Sequence, residues 1–222
     1  MDKFYPLLKQ YNSDNAKDVL PEWTKIYSES TPPVYWNILK NILNNYPKSS
    51  SVFEIGSGAG DLLALIMSLG FENVTGIEQD LLLTEVANKK LEHFFKRQDT
   101  VVHGKYPISI SKPNILIQIN CVYFENIFSK EEYLFQLKSF YQNANPDYYL
   151  LEVIDSSFTS ESKAFPNFVR LSEKNIQDTF TGKTIDSFKT YEYPYNTSSK
   201  RLYLTLSSSL YLLNCCFLTK SE

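Results

Sequence analysis

Histidine and cysteine are scarce in this chain of 222 residues, and their scarcity narrows the chemistry. His93 and His103 are the two imidazoles, and Cys121, Cys215 and Cys216 are the three thiols. These spacings make no metal cluster, and adjacent cysteines are a strained place to close a bridge, so neither metal catalysis nor a disulfide framework is expected. Reduced thiols suit a cytoplasmic protein. A basic excess is also missing: 22 Lys and Arg stand against 25 Asp and Glu, for a net charge of -3. Phosphate backbones select positive surfaces, so nucleic acid is not an expected partner. No apolar run approaches the ~20 residues that span a bilayer, and Met1-Asp2-Lys3-Phe4 opens without a secretory core. No membrane association is expected. Internal repeats, low-complexity tracts, a phosphate-cradling Walker loop and a supported Ser-His-Asp pattern are absent as well.

Glycine is sparse too, with seven in all, yet Gly56, Gly58 and Gly60 fall within five positions of one another. They follow Val52, Phe53 and Ile55, which read as a buried strand. They precede Leu62, Leu63, Leu65, Ile66 and Leu69, which recur at helical spacing up to Gly70. Glycine in such a turn gives positive φ without a Cβ clash and lets bare backbone approach a ligand. The helix beginning at Asp61 turns unpaired N–H groups toward the same space. A dinucleotide fingerprint, G-x-G-x-x-G, wants glycine or alanine where this chain has Asp61, whose charge would oppose a pyrophosphate. The plain alternative is an ordinary tight strand-to-helix turn. Against it stands Asn73-Val74-Thr75-Gly76-Ile77-Glu78, a second strand ending in a carboxylate about 20 residues past the first glycine, where a Rossmann-like site places its ribose-binding acid.

The pattern Glu54-Ile55-Gly56-Ser57-Gly58-Ala59-Gly60, joined with Glu78, resembles motif I and its partner acid in the class I S-adenosylmethionine-dependent methyltransferases. The resemblance runs from about Pro33 to about Ser207. It implies an α/β, Rossmann-like fold: a mostly parallel seven-stranded sheet, helices on both faces and a C-terminal antiparallel hairpin. It implies S-adenosylmethionine as cofactor, with S-adenosylhomocysteine as product. Residues 1–33 would form a helical extension acting as a cofactor and substrate lid, and residues 34–222 the cofactor-binding domain. Trp23, Tyr27, Tyr35 and Trp36 are lid aromatics on this reading and plain core on the other. Glu54, Gly56, Ser57, Gly58, Gly60, Glu78 and Gln79 would hold the cofactor. An acid that often follows the third strand and binds the adenine amino group is replaced here by Gly104 and Lys105, whose backbone could serve instead.

Beyond the third strand, Thr100 to Gly104, His103 is either a general base or a strand-end histidine. The fourth strand, Ile115 to Asn120, leads into Asn120-Cys121-Val122-Tyr123. This is similar to the N-P-P-Y motif of nitrogen methyltransferases at Asn120 and Tyr123, with Cys121 and Val122 in place of the prolines. Asn120 would border the cofactor and Tyr123 the acceptor. Ser129 and Glu132 form a capping box for the next helix. Asp155, after the fifth strand from Tyr148 to Ile154, is either a base or a loop cap, and Glu152 lies within that strand. Ser172 opens a short helix through Ile176 and Phe180. Two further runs, from Ile185 and from Arg201, read as a hairpin joined at Asn196 to Lys200. The apolar stretch from Leu210 to Leu218 suggests an extra strand or a homodimer contact. The function implied is methylation of a small-molecule acceptor at nitrogen or oxygen. The alternative is a non-catalytic cofactor-binding partner or regulatory subunit.

Overall fold

A strand covered on both faces shows its side chains alternately to two cores, and this parity organises the molecule. The computed structural model of the protein describes residues 3–15, 21, 32, 34–158, 165–190 and 201–207. Strands β1 (Val52–Ile55), β2 (Val74–Glu78), β3 (Val101–His103), β4 (Ile115–Gln118) and β5 (Tyr148–Asp155) pair in parallel. The two-residue β6 (Arg170–Leu171) also pairs in parallel with the end of β5. β7 (Thr184–Thr190) and β8 (Arg201–Ser207) are antiparallel to each other, and β8 is antiparallel to β5. The spatial order is β3-β2-β1-β4-β5-β8-β7, the expected seven-stranded path, with β6 as an addition that sequence patterning does not show.

Val52, Val74, Ile115, Ile117 and Leu150 face a core shared with α1 (Phe4–Asn15), α2 (Val34–Leu43), α3 (Asp61–Ser68) and α4 (Leu81–Phe95). Phe53, Ile77, Leu116, Tyr149 and Leu151 face the other core, against α5 (Lys130–Ala144) and α6 (Glu173–Thr179). Parity therefore puts Glu54 on the same face as Val52, the face of α1 to α4.

Helix α1 goes beyond what patterning predicts. Its buried stripe is Tyr5, Leu8 and Asn12, and the polar Asn12 interrupts the apolar period. Tyr5 packs edge-on against Trp36, and Phe4 and Tyr11 against Phe94, so α1 covers α2 and α4. Tyr35 and Trp36 of α2 are buried. The expected caps at Ser129 and Ser172 are formed, each with its reciprocal side-chain bond. Trp23, Tyr27, the hairpin turn at Asn196 to Lys200 and the apolar stretch from Leu210 to Leu218 lie outside the described residues. No helix among the described residues is long and apolar enough to cross a membrane.

Candidate functional site

In an open parallel sheet the crevice lies at the carboxyl ends of the strands, where the strand order reverses. Here that reversal falls between β1 and β4, and a cavity of about 390 Å³ opens there. Its floor is the turn from β1 to α3. Gly56, Gly58 and Gly60 have φ of 71°, 52° and 77°, the left-handed region that disfavours side chains. At Gly56 an added Cβ would stand 2.2 Å from Cys121 Sγ, and at Gly60 2.9 Å from the Ala87 Cβ. Gly60 thus stands behind the turn, letting α4 pack directly onto it. Gly60→Ala combines left-handed strain of about 1–2 kcal/mol with overpacking of about 1–3 kcal/mol. It is expected to lower stability by about 2–5 kcal/mol in a urea titration.

Glu78, at the end of β2, is oriented by backbone. Oε2 accepts from Gly58 N at 2.8 Å and Oε1 from Asp80 N at 2.9 Å. Each carboxylate oxygen retains a second lone pair for a ligand. Gln79 borders the cavity, and Asp80 caps α4 by accepting from Leu83 N at 3.0 Å. On the adjacent strand Gly104 N donates to Glu78 O at 2.8 Å, and Gly104, Lys105 and Tyr106 wall the cavity. Lys105 pairs with Glu125 from beyond β4 and lies 5.3 Å from the centre of the Tyr123 ring. The hydrogen bond to Glu125 raises the Lys105 pKa.

The opposite wall is the loop after β4. Asn120 is left-handed, with φ of 53°. Tyr149 OH donates to Gln118 Oε1 at 2.6 Å, and Gln118 Nε2 donates to Cys121 O at 3.1 Å, so a buried chain holds this loop from below. Burial, followed by the carboxylates of Glu78, Glu54 and Glu152, pushes the Cys121 thiol up to about 12. Burial likewise takes Tyr106 to about 12. Tyr123 is raised by burial against the opposing charge of Lys105. All three groups are neutral near pH 7, so Tyr123 offers a ring and a hydroxyl rather than a phenolate.

A second pocket of about 20 Å³ shares Gly56, Gly58 and Asn120 with the first and adds Tyr35, Glu54, Ser57 and Asp61. Glu54 is 2% exposed and its Oε2 has no hydrogen-bond partner among the described residues. Burial, then the carboxylates of Glu78 and Asp61, hold its pKa well above the usual carboxylate range. A buried oxygen left unpaired is unfavourable, and a positively charged donor would satisfy it.

Asp61 departs from expectation. Its Oδ1 accepts from Lys90 Nζ at 2.7 Å and from Asn12 Nδ2 at 2.8 Å, and Lys90 is fully buried. The lysine offsets the charge that the sequence places bare at the helix start. Burial lowers the Lys90 pKa and Asp61 holds it up.

The structure therefore gathers Glu54, Gly56, Ser57, Gly58, Glu78, Gln79, Gly104, Lys105, Asn120 and Tyr123 around two pockets that share Gly56, Gly58 and Asn120 as lining. His103 and Asp155 border neither. His103 Nε2 lies 3.1 Å from Gln79 O, which makes that nitrogen the N–H donor. Asp155 is fully buried and fixes the turn after β5, its Oδ1 accepting from Ser157 N at 2.8 Å and from the Ser157 hydroxyl. Asp80, Leu83, Tyr106 and Phe140 line the cavity without having stood out in the sequence. Asp80 carried a signal as a helix cap before Leu81. Phe140 reads only as part of the apolar stripe of its helix.

No protein-family model and no curated protein matches the chain. Solved structures do. The magnesium protoporphyrin IX methyltransferase of Synechocystis PCC 6803, with bound S-adenosylmethionine, is 14% identical over 92% of this chain and 97% of that one, with a TM-score of 0.61. The methyltransferase domain of bacterial CtHen1-C is 13% identical over 78% of this chain and 96% of that one, with a TM-score of 0.57. A geranyl diphosphate methyltransferase, in complex with GPP and sinefungin, is 9% identical over 79% of this chain and 78% of that one, also at 0.57. With its strand order, its antiparallel C-terminal pair and these likenesses, the chain has the Rossmann-like α/β fold of the class I S-adenosylmethionine-dependent methyltransferases.

Proposed function

We propose that the protein is an S-adenosylmethionine-dependent methyltransferase acting on a small-molecule acceptor, at nitrogen or oxygen. The observation that carries this is the unpartnered, buried Oε2 of Glu54 beside the glycine turn. It suits a ligand whose cationic amino end enters the small pocket while its ribose meets Glu78 in the larger one. The glycine turn, Gln79 and the backbone at Gly104 and Lys105 fit the rest of such a ligand. The bound cofactor supplies an electrophilic methyl group on a sulfonium.

The chain's own part is then positioning and exclusion of water. Asn120 and Tyr123 border the space where an acceptor would lie, and the Tyr149–Gln118–Cys121 chain keeps their loop in place. The Tyr123 hydroxyl keeps its proton near pH 7, so its contribution is contact and orientation. Residues 1–33 remain the proposed lid; Pro21 borders the main cavity.

Calorimetry with S-adenosylmethionine and S-adenosylhomocysteine tests the cofactor. Both are expected to bind, and binding is expected to release a proton. In the free protein Glu54 has a raised pKa and holds its proton over a wider pH range; pairing with an ammonium favours the carboxylate. Affinity should therefore strengthen as pH rises through the Glu54 pKa, and the heat should vary with the ionisation enthalpy of the buffer. Failure of both ligands to bind at millimolar concentration overturns the proposal. Transfer of labelled methyl to a dialysable acceptor is the expected turnover; label found only in RNA or protein would refute the acceptor class. Binding without any transfer would favour the non-catalytic partner subunit.

A further inference from the structure

Among the described residues that line the two pockets, Lys105 is the one with a positive charge. Its Nζ pairs with Glu125 and lies 5.3 Å from the centre of the Tyr123 ring. Between ring centres Tyr123 stands 6.2 Å from Phe140, and Phe140 stands 5.1 Å from Tyr106; all three rings line the larger cavity. A cation thus stands beside an aromatic wall, bordering the space proposed for the acceptor. The groups that could take a proton are engaged elsewhere. Glu78 has each oxygen on a backbone N–H, Asp80 caps α4, and Glu54 and Asp61 line the smaller pocket. His103 and Asp155 border neither pocket, and Tyr106, Tyr123 and Cys121 keep their own protons near pH 7. Near that pH an alkyl amine or a phenol carries a proton that must leave as the methyl arrives, whereas a carboxylate is already ionised.

We propose that the acceptor is a carboxylic acid on an apolar body, methylated at a carboxylate oxygen, and that Lys105 is the residue that selects it, with Tyr106, Tyr123 and Phe140 receiving the body. The inference rests on reading the main cavity as an S-adenosylmethionine site. A lone pair on the carboxylate oxygen forms the new O–C bond, and the electron pair of the broken C–S bond stays on sulfur. The negative charge of the acceptor and the positive charge of the sulfonium disappear together, leaving a methyl ester and S-adenosylhomocysteine. No proton moves, so no base is needed. The lysine ammonium has three donors, of which Glu125 engages one, so a second carboxylate can be held beside the first. That contact weakens as the acceptor loses its charge, so Lys105 acts on acceptor binding rather than on the rate of the step.

The test measures, by calorimetry on protein saturated with S-adenosylhomocysteine, the binding of three probes that share one apolar body: naphthylacetate, naphthylacetamide and naphthylethylamine. They present a carboxylate, a neutral amide and an ammonium. The carboxylate is expected to bind about fivefold to tenfold more tightly than the amide, as suits a half-exposed ion pair, and the ammonium to bind most weakly. Lys105→Met is expected to bring the preference for the carboxylate to about twofold or less, and Lys105→Arg to retain it. Glu125→Gln, which removes a competing carboxylate from Lys105, is expected to tighten the carboxylate probe and leave the amide unchanged. Labelled methyl transferred to a dialysable metabolite extract is expected to come away as methanol in mild alkali, as a methyl ester does. Equal or weaker binding of the carboxylate, a preference that survives Lys105→Met, or alkali-stable label overturns the inference and leaves the cofactor site standing. Failure of the unmodified protein to bind S-adenosylhomocysteine overturns the cofactor reading itself.

Discussion

Glu78→Ala is expected to weaken S-adenosylhomocysteine binding by about 100-fold, measured by calorimetry, with the fold retained. The carboxylate lines the larger pocket, with one oxygen on Gly58 N and the other on Asp80 N. Two charge-assisted bonds to ribose hydroxyls would each contribute about 1.5 kcal/mol or more. Their joint loss of about 3 kcal/mol is a factor of roughly 100. Removing the carboxylate also unties Gly58 from β2, so the glycine turn loses orientation as well as a ligand contact. Glu78→Gln keeps one acceptor oxygen and should fall between the two. Unchanged affinity in a folded Glu78→Ala protein would remove Glu78 from the site.

Lys90→Met is expected to give the largest loss of stability of any single change proposed here. Lys90 has no exposed surface and donates to Asp61 at 2.7 Å. Taking away one member of a buried pair leaves the other charged or forces it to take up a proton, typically about 3–5 kcal/mol. At about 2–4 °C per kcal/mol for a chain of this size, the melting temperature should fall by roughly 10–15 °C. Asp61→Leu/Lys90→Met, which removes both charges, should recover most of that loss, because the desolvation of two ions is lifted along with their attraction. If the single variant melts within about 2 °C of the parent, Lys90 is not the counter-charge of Asp61.

Much of the fold is legible in the sequence because its signals are local. The glycine turn, the strand patterning at Val52 and Val74, and the caps at Ser129 and Ser172 each declare themselves within a few residues. Glu78 was legible because a fixed interval separates it from the first glycine. Lys90 also carried a signal, since a lysine inside the apolar stripe of Leu83, Ala87 and Leu91 asks for a buried acid; its partner, 29 residues earlier, has no local mark. Helix α1 was hidden by Asn12, whose polar side chain looks like an interruption until Asp61 is placed opposite it. His103 and Asp155 could not be assigned from the chain alone. Their residue types fit a base, and only the three-dimensional arrangement shows His103 on the Gln79 carbonyl and Asp155 tying down a turn.

The position of β8 between β5 and β7 sets an order of events during synthesis. Parallel pairing of β1 to β5 can proceed as soon as Asp155 has emerged, but β5 then keeps an open edge from Tyr148 to Ile154. That edge is closed by residues 201–207, the final described strand of the chain. β7 is made earlier, yet it reaches the sheet only through β8. A nascent chain stalled before residue 201 would carry a nearly finished nucleotide-type half with an unpaired, strongly apolar strand beside it. Such an edge is a template for pairing with other chains. The half that holds the candidate site thus depends, for protection against aggregation on the ribosome, on a segment made about 45 residues after the strand it covers.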